Sequence, residues 1–319
     1  MTDTLLLIDG NNLAYRCRYS FQLSNAGIDV SVTYGFLKVL ESIMKKYRPT
    51  SVIVAWDGKV PKFRRQLVPE YKANRHADED PEVRADFYRQ MDELHNYALP
   101  RMGIMSVRKN YIEADDLLYH ASVISWHDEN IIVTADKDLL QAISVTTKVL
   151  NPAKNKLYGV SEFEEEFGFE LSKFVWWKSL QGDGSDNVPG VDKVGEVTAV
   201  KLIKEHESIL SMFSDIETGK FTGKISEHVR DFGYERLVKN YKVMNLSEDR
   251  TGARFLMYNE LEYYMSCNRD VLKRYFLRNA FVSLLDSLPK MCSDLTCPKF
   301  NMFVRYPIVE IERTPVEDI

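Results

Sequence analysis

The sequence predicts an α/β domain on a mostly parallel sheet flanked by helices, followed by a helical domain carrying a helix-turn-helix hairpin. Three observations predict it. Apolar runs of strand length at residues 5–8, 51–56 and 131–135 read as strands buried on both faces. Segments with helical spacing lie between them, with Phe36, Val39, Leu40 and Ile43 on one face and Leu117, Leu118, Ala121 and Ile124 on another. Beyond residue 159 the strand-length runs stop and the pattern becomes helical.

The first run ends in Asp9-Gly10-Asn11-Asn12 and the second in Trp56-Asp57-Gly58. The third leads into Asp136-Lys137-Asp138, and Glu113-Ala114-Asp115-Asp116 opens the helix before it. Helix capping accounts for Glu113 or Asp116 taken singly. It does not account for four turns that carry acids to the same end of one parallel sheet, where such sheets open a crevice. Carboxylates gathered there form an all-oxygen donor set suited to a hard divalent cation.

Between these turns, residues 59–102 leave the strand alternation. Lys59, Lys62, Arg64, Arg65, Lys72 and Arg75 stand against a single acid, Glu70. Asp80-Pro81 then starts a polar helix with Phe87, Met91 and Leu94 on one side. The stretch reads as a lid or arch over the strand ends. The alternative for its charges is a solvated face.

After Asp138 a helix continues to Ile143, and residues 145–150 and 156–158 form a hairpin broken by Asn151-Pro152. Ser161 with Glu164 reads as a capping box at a domain boundary. The division expected is 1–158, 159–288 and an acidic tail, 289–319. In the helical part Trp176 and Trp177 read as core aromatics. Asp183 and Asp186 sit three apart in the glycine-rich Gly182-Asp183-Gly184-Ser185-Asp186-Asn187 and could form another metal arm. Gly190 to Gly195 is a tight turn before a helix, whose free amides suit a phosphate; a plain helix–helix connection is the alternative.

Composition bounds these readings. A chain of 319 residues, 45% hydrophobic and 28% charged, buries a sizeable core in one large or two ordinary domains. No apolar run reaches the length of a membrane span, and the amino terminus lacks the basic start of a secretory signal. Cys17, Cys267, Cys292 and Cys297 follow no disulfide framework, so a reducing, cytoplasmic location is expected, and Cys292 and Cys297, with no second Cys or His pair nearby, read as free thiols rather than zinc ligands. The net charge of −5 does not exclude nucleic acid, because a carboxylate cluster hides a basic stretch in the sum.

Five motifs stand in a recognisable order: Asp9-Gly10-Asn11, Trp56-Asp57-Gly58, Tyr71-Lys72-Ala73-Asn74-Arg75, Glu113-Ala114-Asp115-Asp116 and Gly182-Asp183-Gly184-Ser185-Asp186-Asn187. With them the chain resembles the 5′-nuclease superfamily of flap endonucleases, over roughly residues 5–210. It is similar to bacteriophage 5′-3′ exonucleases and phage RNase H, and to the nuclease domain of bacterial DNA polymerase I. The resemblance implies a PIN-like sheet and a Mg2+-dependent 5′-3′ exonuclease or 5′-flap endonuclease that hydrolyses phosphodiesters by a two-metal-ion mechanism. It implies two Mg2+, with Mn2+ as a substitute. Asp9, Asp57, Glu113, Asp115, Asp116, Asp136 and Asp138 would form the main metal site, and Asp183 and Asp186 would complete the second. Lys72 and Arg75 would contact the scissile phosphate, and Tyr71 would stack on a terminal base. Lys62, Arg64 and Arg65 would extend the DNA contact, while Gly190, Lys193 and Gly195 belong to a hairpin that grips duplex, often with K+. The implied substrate is branched or duplex DNA with a free 5′ end, or an RNA–DNA hybrid, bound by a monomer away from membranes; no replication partner is implied.

The hairpin departs from the family pattern: Lys193 stands where glycine is usual, and Val197 where a basic residue is common. Two rivals remain. A catalytically inactive DNA-binding module predicts missing acids, and none is missing. A single-strand PIN-class ribonuclease lacks the arch and hairpin.

Overall fold

The computed structural model describes residues 2–74, 80–259, 267–288 and 295. β1 (Thr4–Asp9) is buried at every position, and α1 (Gly10–Ser20) follows with Asp9 as its N-cap. A short ribbon of β2 (Ser24–Asn25) and β3 (Ile28–Asp29) leads to α2 (Ser31–Tyr47). β4 (Ser51–Trp56) is again wholly buried. Next come α3 (Lys62–Leu67) and α4 (Pro81–Glu93), which runs through a π-helical turn, Leu94–Ala98, into α5 (Leu99–Arg101). Then follow β5 (Met105–Arg108), α6 (Ala114–Ile124) and β6 (Glu129–Val133). β7 (Thr147–Asn151) and β8 (Lys156–Tyr158) form the expected hairpin.

The sheet has the order β5-β4-β1-β6-β7-β8, and every pairing except β7–β8 is parallel. In register, Asp9 lies opposite Ala55, and Ile8 lies opposite both Val54 and Val133. The carboxyl ends of β4, β1 and β6 are therefore level.

Downstream lie α7 (Val160–Phe167), α8 (Phe174–Gln181), a ribbon of β9 (Gly182–Asp183) and β10 (Val188–Pro189), and α9 (Glu196–Glu205). α10 (Ile209–Glu217), α11 (Lys224–Phe232) and α12 (Tyr234–Met244) follow, then α13 (Ala253–Asn259), α14 (Arg269–Arg278) and α15 (Val282–Leu285). The residues form two compact units. One holds 2–59, 80–158, 251–259 and 267–288; the other holds 60–74 and 159–250.

The first unit buries a core between the sheet and its helices, including Leu6, Ile8, Phe36, Leu40, Val54 and Trp56. Residues 80–102, the second half of the stretch expected to form a lid or arch, pack one face into this core. Phe87, Met91, Leu94, Ala98, Leu99 and Met102 all lie in that core. Gln90 Oε1 also accepts hydrogen bonds from the amides of Val32 and Thr33, which pins α4 to the start of α2. The apolar face of α4 is a packing face. α14 and α15 behave alike: Leu272, Tyr275, Phe276 and Leu284 join this core.

Two smaller corrections follow. The capping box expected at Ser161 and Glu164 is not formed: α7 starts two residues earlier behind Gly159, whose amide donates to Glu162 Oε2 at 2.9 Å, and glycine has no side chain to return the bond. Cys17 is a buried free thiol and Cys267 is disulfide-bonded, against the expectation of no disulfide framework, while Cys292 and Cys297, read as free thiols, lie outside the described residues. Cysteine spacing carries no information on such an approach in space. The tail expected at 289–319 lies outside the described residues apart from Leu295. No helix among the described residues is long and apolar enough to cross a membrane.

Candidate active site

The first unit carries seven acids around the carboxyl edge of its parallel strands. Asp9 ends β1, and its carboxylate accepts from Asn12 N (3.0 Å) and Thr134 Oγ1 (2.9 Å). Asp57 follows β4; its Oδ1 accepts from Ala114 N, and its own amide donates to Asn11 Oδ1, both at 2.9 Å. Glu113 caps α6, and its amide donates to Asp116 Oδ2 at 3.4 Å. Glu113 and Asp116 are buried, Asp115 and Asp138 half-buried, and Asp136 exposed. Asp138 N donates to Asp136 Oδ1, and Ala135 N donates to Asn12 Oδ1, both at 2.9 Å. Side chains from α1 thus reach the turns after β4 and β6, and Asp57 in turn holds the start of α6.

Backbone packing enforces the arrangement. Gly58 N donates to Ile112 O at 2.9 Å, and a Cβ on Gly58 would stand 1.7 Å from Lys109 O. A Cβ on Gly10 would strike the Trp56 ring at 2.6 Å. Only glycine lets the turns after β1, β4 and β5 approach so closely.

The electrostatics are those of a concentrated anion. Burial, then the charges of Asp57 and Asp136, push the Asp9 pKa up to about 7, against the opposing bonds from Asn12 and Thr134. Asp9 has no cationic side chain paired with it among the described residues. Among those residues no three acids, imidazoles or thiols close on one point at ligating distance. The donor set is all oxygen, and its central carboxylate is destabilised as an anion; both features fit a hard divalent cation.

The second unit carries a separate constellation. Asp183 Oδ1 accepts from Ser185 N, Ser185 Oγ and Asp186 N, and its Oδ2 pairs with Lys178 Nζ at 3.0 Å. Burial raises its pKa, but Lys178 and Ser185 outweigh that and hold it below the usual carboxylate range. Asp186 Oδ2 accepts from Tyr71 OH at 2.9 Å and pairs with Lys72 Nζ at 3.6 Å. Lys72 N donates to Asp186 O at 3.0 Å, and Asn187 Nδ2 to Glu70 O at the same distance. A Cβ on Gly190 would stand 1.9 Å from Gln181 O, so that position also needs glycine. Lys193 takes the left-handed conformation, φ +59°, with its side chain in solvent.

A family model described as the N-terminal resolvase-like domain of 5′-3′ exonuclease matches residues 4–168, and one described as its C-terminal SAM fold matches 170–254. The chain belongs to the 5′-3′ exonuclease family. This is a family of nucleases, and the sheet followed by a helical SAM-like part is its fold. A Bacillus subtilis 5′-3′ exonuclease is 34% identical over 73% of this chain and 81% of its own length. DNA polymerase I of Mycobacterium bovis is 33% identical over 77% of this chain; the match spans 27% of the polymerase. A bacteriophage T5 flap endonuclease in complex with DNA and metal ions superimposes with a TM-score of 0.66, covering 89% of this chain and 99% of its own at 18% identity.

Within this exonuclease fold, several expected residues take unexpected places. Arg64 is buried, 2% exposed, and its Nε donates to Val243 O at 3.1 Å, so it is not an open DNA contact. Tyr71 is also buried, its hydroxyl on Asp186. Lys62 and Arg65 are exposed, while Arg75 lies outside the described residues. Asn11, Asn12 and Thr134 were not foreseen as organisers. The signal available was the pair of asparagines directly behind the β1 acid, the place from which a short side chain reaches the neighbouring turns.

Proposed function

We propose that this exonuclease-family chain is a Mg2+-dependent 5′-nuclease that hydrolyses phosphodiesters near free 5′ ends of branched or duplex DNA, including RNA primers on DNA. The observation that carries the reading is the level register of β1, β4 and β6, which brings Asp9, Asp57 and the turn to Asp136 to one edge. The T5 relative with DNA and metal ions supports it.

One divalent cation would be held by acids from Asp9, Asp57, Glu113, Asp115, Asp116, Asp136 and Asp138, and Asp183 and Asp186 are assigned to a second. Bound there, such cations would supply an activated water and would offset charge on the phosphate and leaving oxygen. Asp57 and Asp116 orient through the backbone bonds already formed around α6. Lys178 keeps Asp183 ionised and ready to ligate. Lys72, buried against Asp186, presents a preorganised cation to the reacting phosphate. Lys62 and Arg65 bind backbone phosphates as solvated charges, and Arg75 joins Lys72. The hairpin with Gly190, Lys193 and Gly195 holds duplex backbone; K+ there is part of the same proposal.

The test is cleavage of a 5′-flap, a nicked duplex and an RNA–DNA hybrid, each labelled on either strand end. Release of labelled 5′ fragments, in Mg2+ or Mn2+ and not in chelator, is expected. Binding without cleavage of any substrate would favour an inactive binding module.

A further inference from the structure

Arg64 sits in the basic run yet does not face solvent. Its Nε donates to Val243 O, one residue before the end of α12, where helix carbonyls lack intrahelical partners and a cation is favoured. Its guanidinium carbon lies 5.0 Å from the Phe63 ring centre and 6.0 Å from that of Tyr71. Its carbonyl accepts from Val68 N, and Val68 O accepts from Tyr71 N, so the turn into Tyr71 is built on Arg64.

Beyond Tyr71 the chain is held in a costly conformation. Lys72 has φ +55°, a left-handed backbone that persists only when its surroundings fix it. Lys72 Nζ lies 5.1 Å from the Tyr71 ring centre, and both side chains meet Asp186 Oδ2. One ring thus neighbours two cations, each anchored elsewhere: Arg64 on a helix carbonyl, Lys72 on a carboxylate.

We propose that Arg64 is a positioning residue that seats Tyr71 and Lys72 on Asp186, and that it serves the cleavage step without touching DNA. The inference rests on the reading of Lys72 as the cation on the reacting phosphate. Lysine at position 64 keeps the charge but loses the planar fork that reaches the carbonyl and lies by the rings.

The experiment uses the full chain with a 5′-labelled flap duplex in Mg2+, measuring single-turnover rate at saturation and salt-titrated binding. Loss of wild-type cleavage itself would overturn the functional reading before any variant is compared. With wild type active, Arg64→Lys should lower the saturated rate by about tenfold or more and shift Kd by less than about twofold. The salt slope of binding should not change, whereas Arg65→Ala should reduce it by about one unit. In the Lys72→Ala background, Arg64→Lys should cost less than about a further twofold, because both act through one group. A changed salt slope with an unchanged saturated rate would make Arg64 a DNA contact and overturn the proposal. Full additivity with Lys72→Ala would also overturn it. If Arg64→Lys does not fold, Arg64→Met is read by the same criteria; if neither folds, Arg64 is a structural anchor only and the proposal fails.

Discussion

Asp9 holds its proton to unusually high pH, about 7 against an ordinary 3.8, through burial and the charges of Asp57 and Asp136. Between those values the native chain keeps a proton that the unfolded chain has lost. The stability from this group is present below about pH 4 and is lost as pH rises through about 7. Thermal melts in chelator should therefore give a lower midpoint at about pH 8 than at about pH 5. Mg2+ should raise the midpoint more at the higher pH, since cation and proton compete for the same oxygens. A larger Mg2+ effect at the lower pH would contradict a metal site at Asp9. Lys72 and Lys62 should differ in kind. Lys72→Ala is expected to cut the saturated cleavage rate by about 100-fold, and Lys62→Ala to raise KM with kcat unchanged. A wild-type saturated rate for Lys72→Ala would return Lys72 to the basic strip. The acids were legible in the sequence because each follows an apolar run and charge in such a place is conspicuous. Asn12 and Thr134 were not, because a neutral side chain that bonds a backbone amide leaves no charge signature. Arg64 was misread for the opposite reason: its charge was visible and its burial was not.

At the scale of elements, the glycines divide sharply. Gly190→Ala must push Gln181 O from 1.9 Å, so it should destabilise the second unit by about 2 kcal/mol or more. Gly195→Ala has open space around its Cβ and an ordinary φ of −91°, so it should change stability little. Lys193→Gly should stabilise by about 1 kcal/mol by relieving a left-handed backbone. Urea unfolding of the three variants checks the ranking; equal effects at 190 and 195 would refute the crossing of Gln181 and Gly190. The long strands β1, β4 and β6 were readable as continuous apolar runs. β5 was not, because Met105-Ser106-Val107-Arg108 is four residues long and half polar at the sheet edge. The face of α4 was seen correctly, but spacing shows that a face is buried and not what buries it.

For the molecule as a whole, the same limit explains α14 and α15. Their periodicity announced helices, while their place in the first unit's core is a long-range pairing that no local pattern encodes. What the local pattern did encode was the order of the acidic turns, and the central claim rests on that order. The most direct test is cleavage of a 5′-labelled flap duplex by wild type and Asp57→Asn, across a Mg2+ titration and in excess chelator. The account predicts cleavage by wild type that vanishes in chelator, and none by Asp57→Asn at any Mg2+ concentration while flap-duplex binding stays within about threefold of wild type. Full cleavage in chelator, or wild-type cleavage by Asp57→Asn, would contradict it.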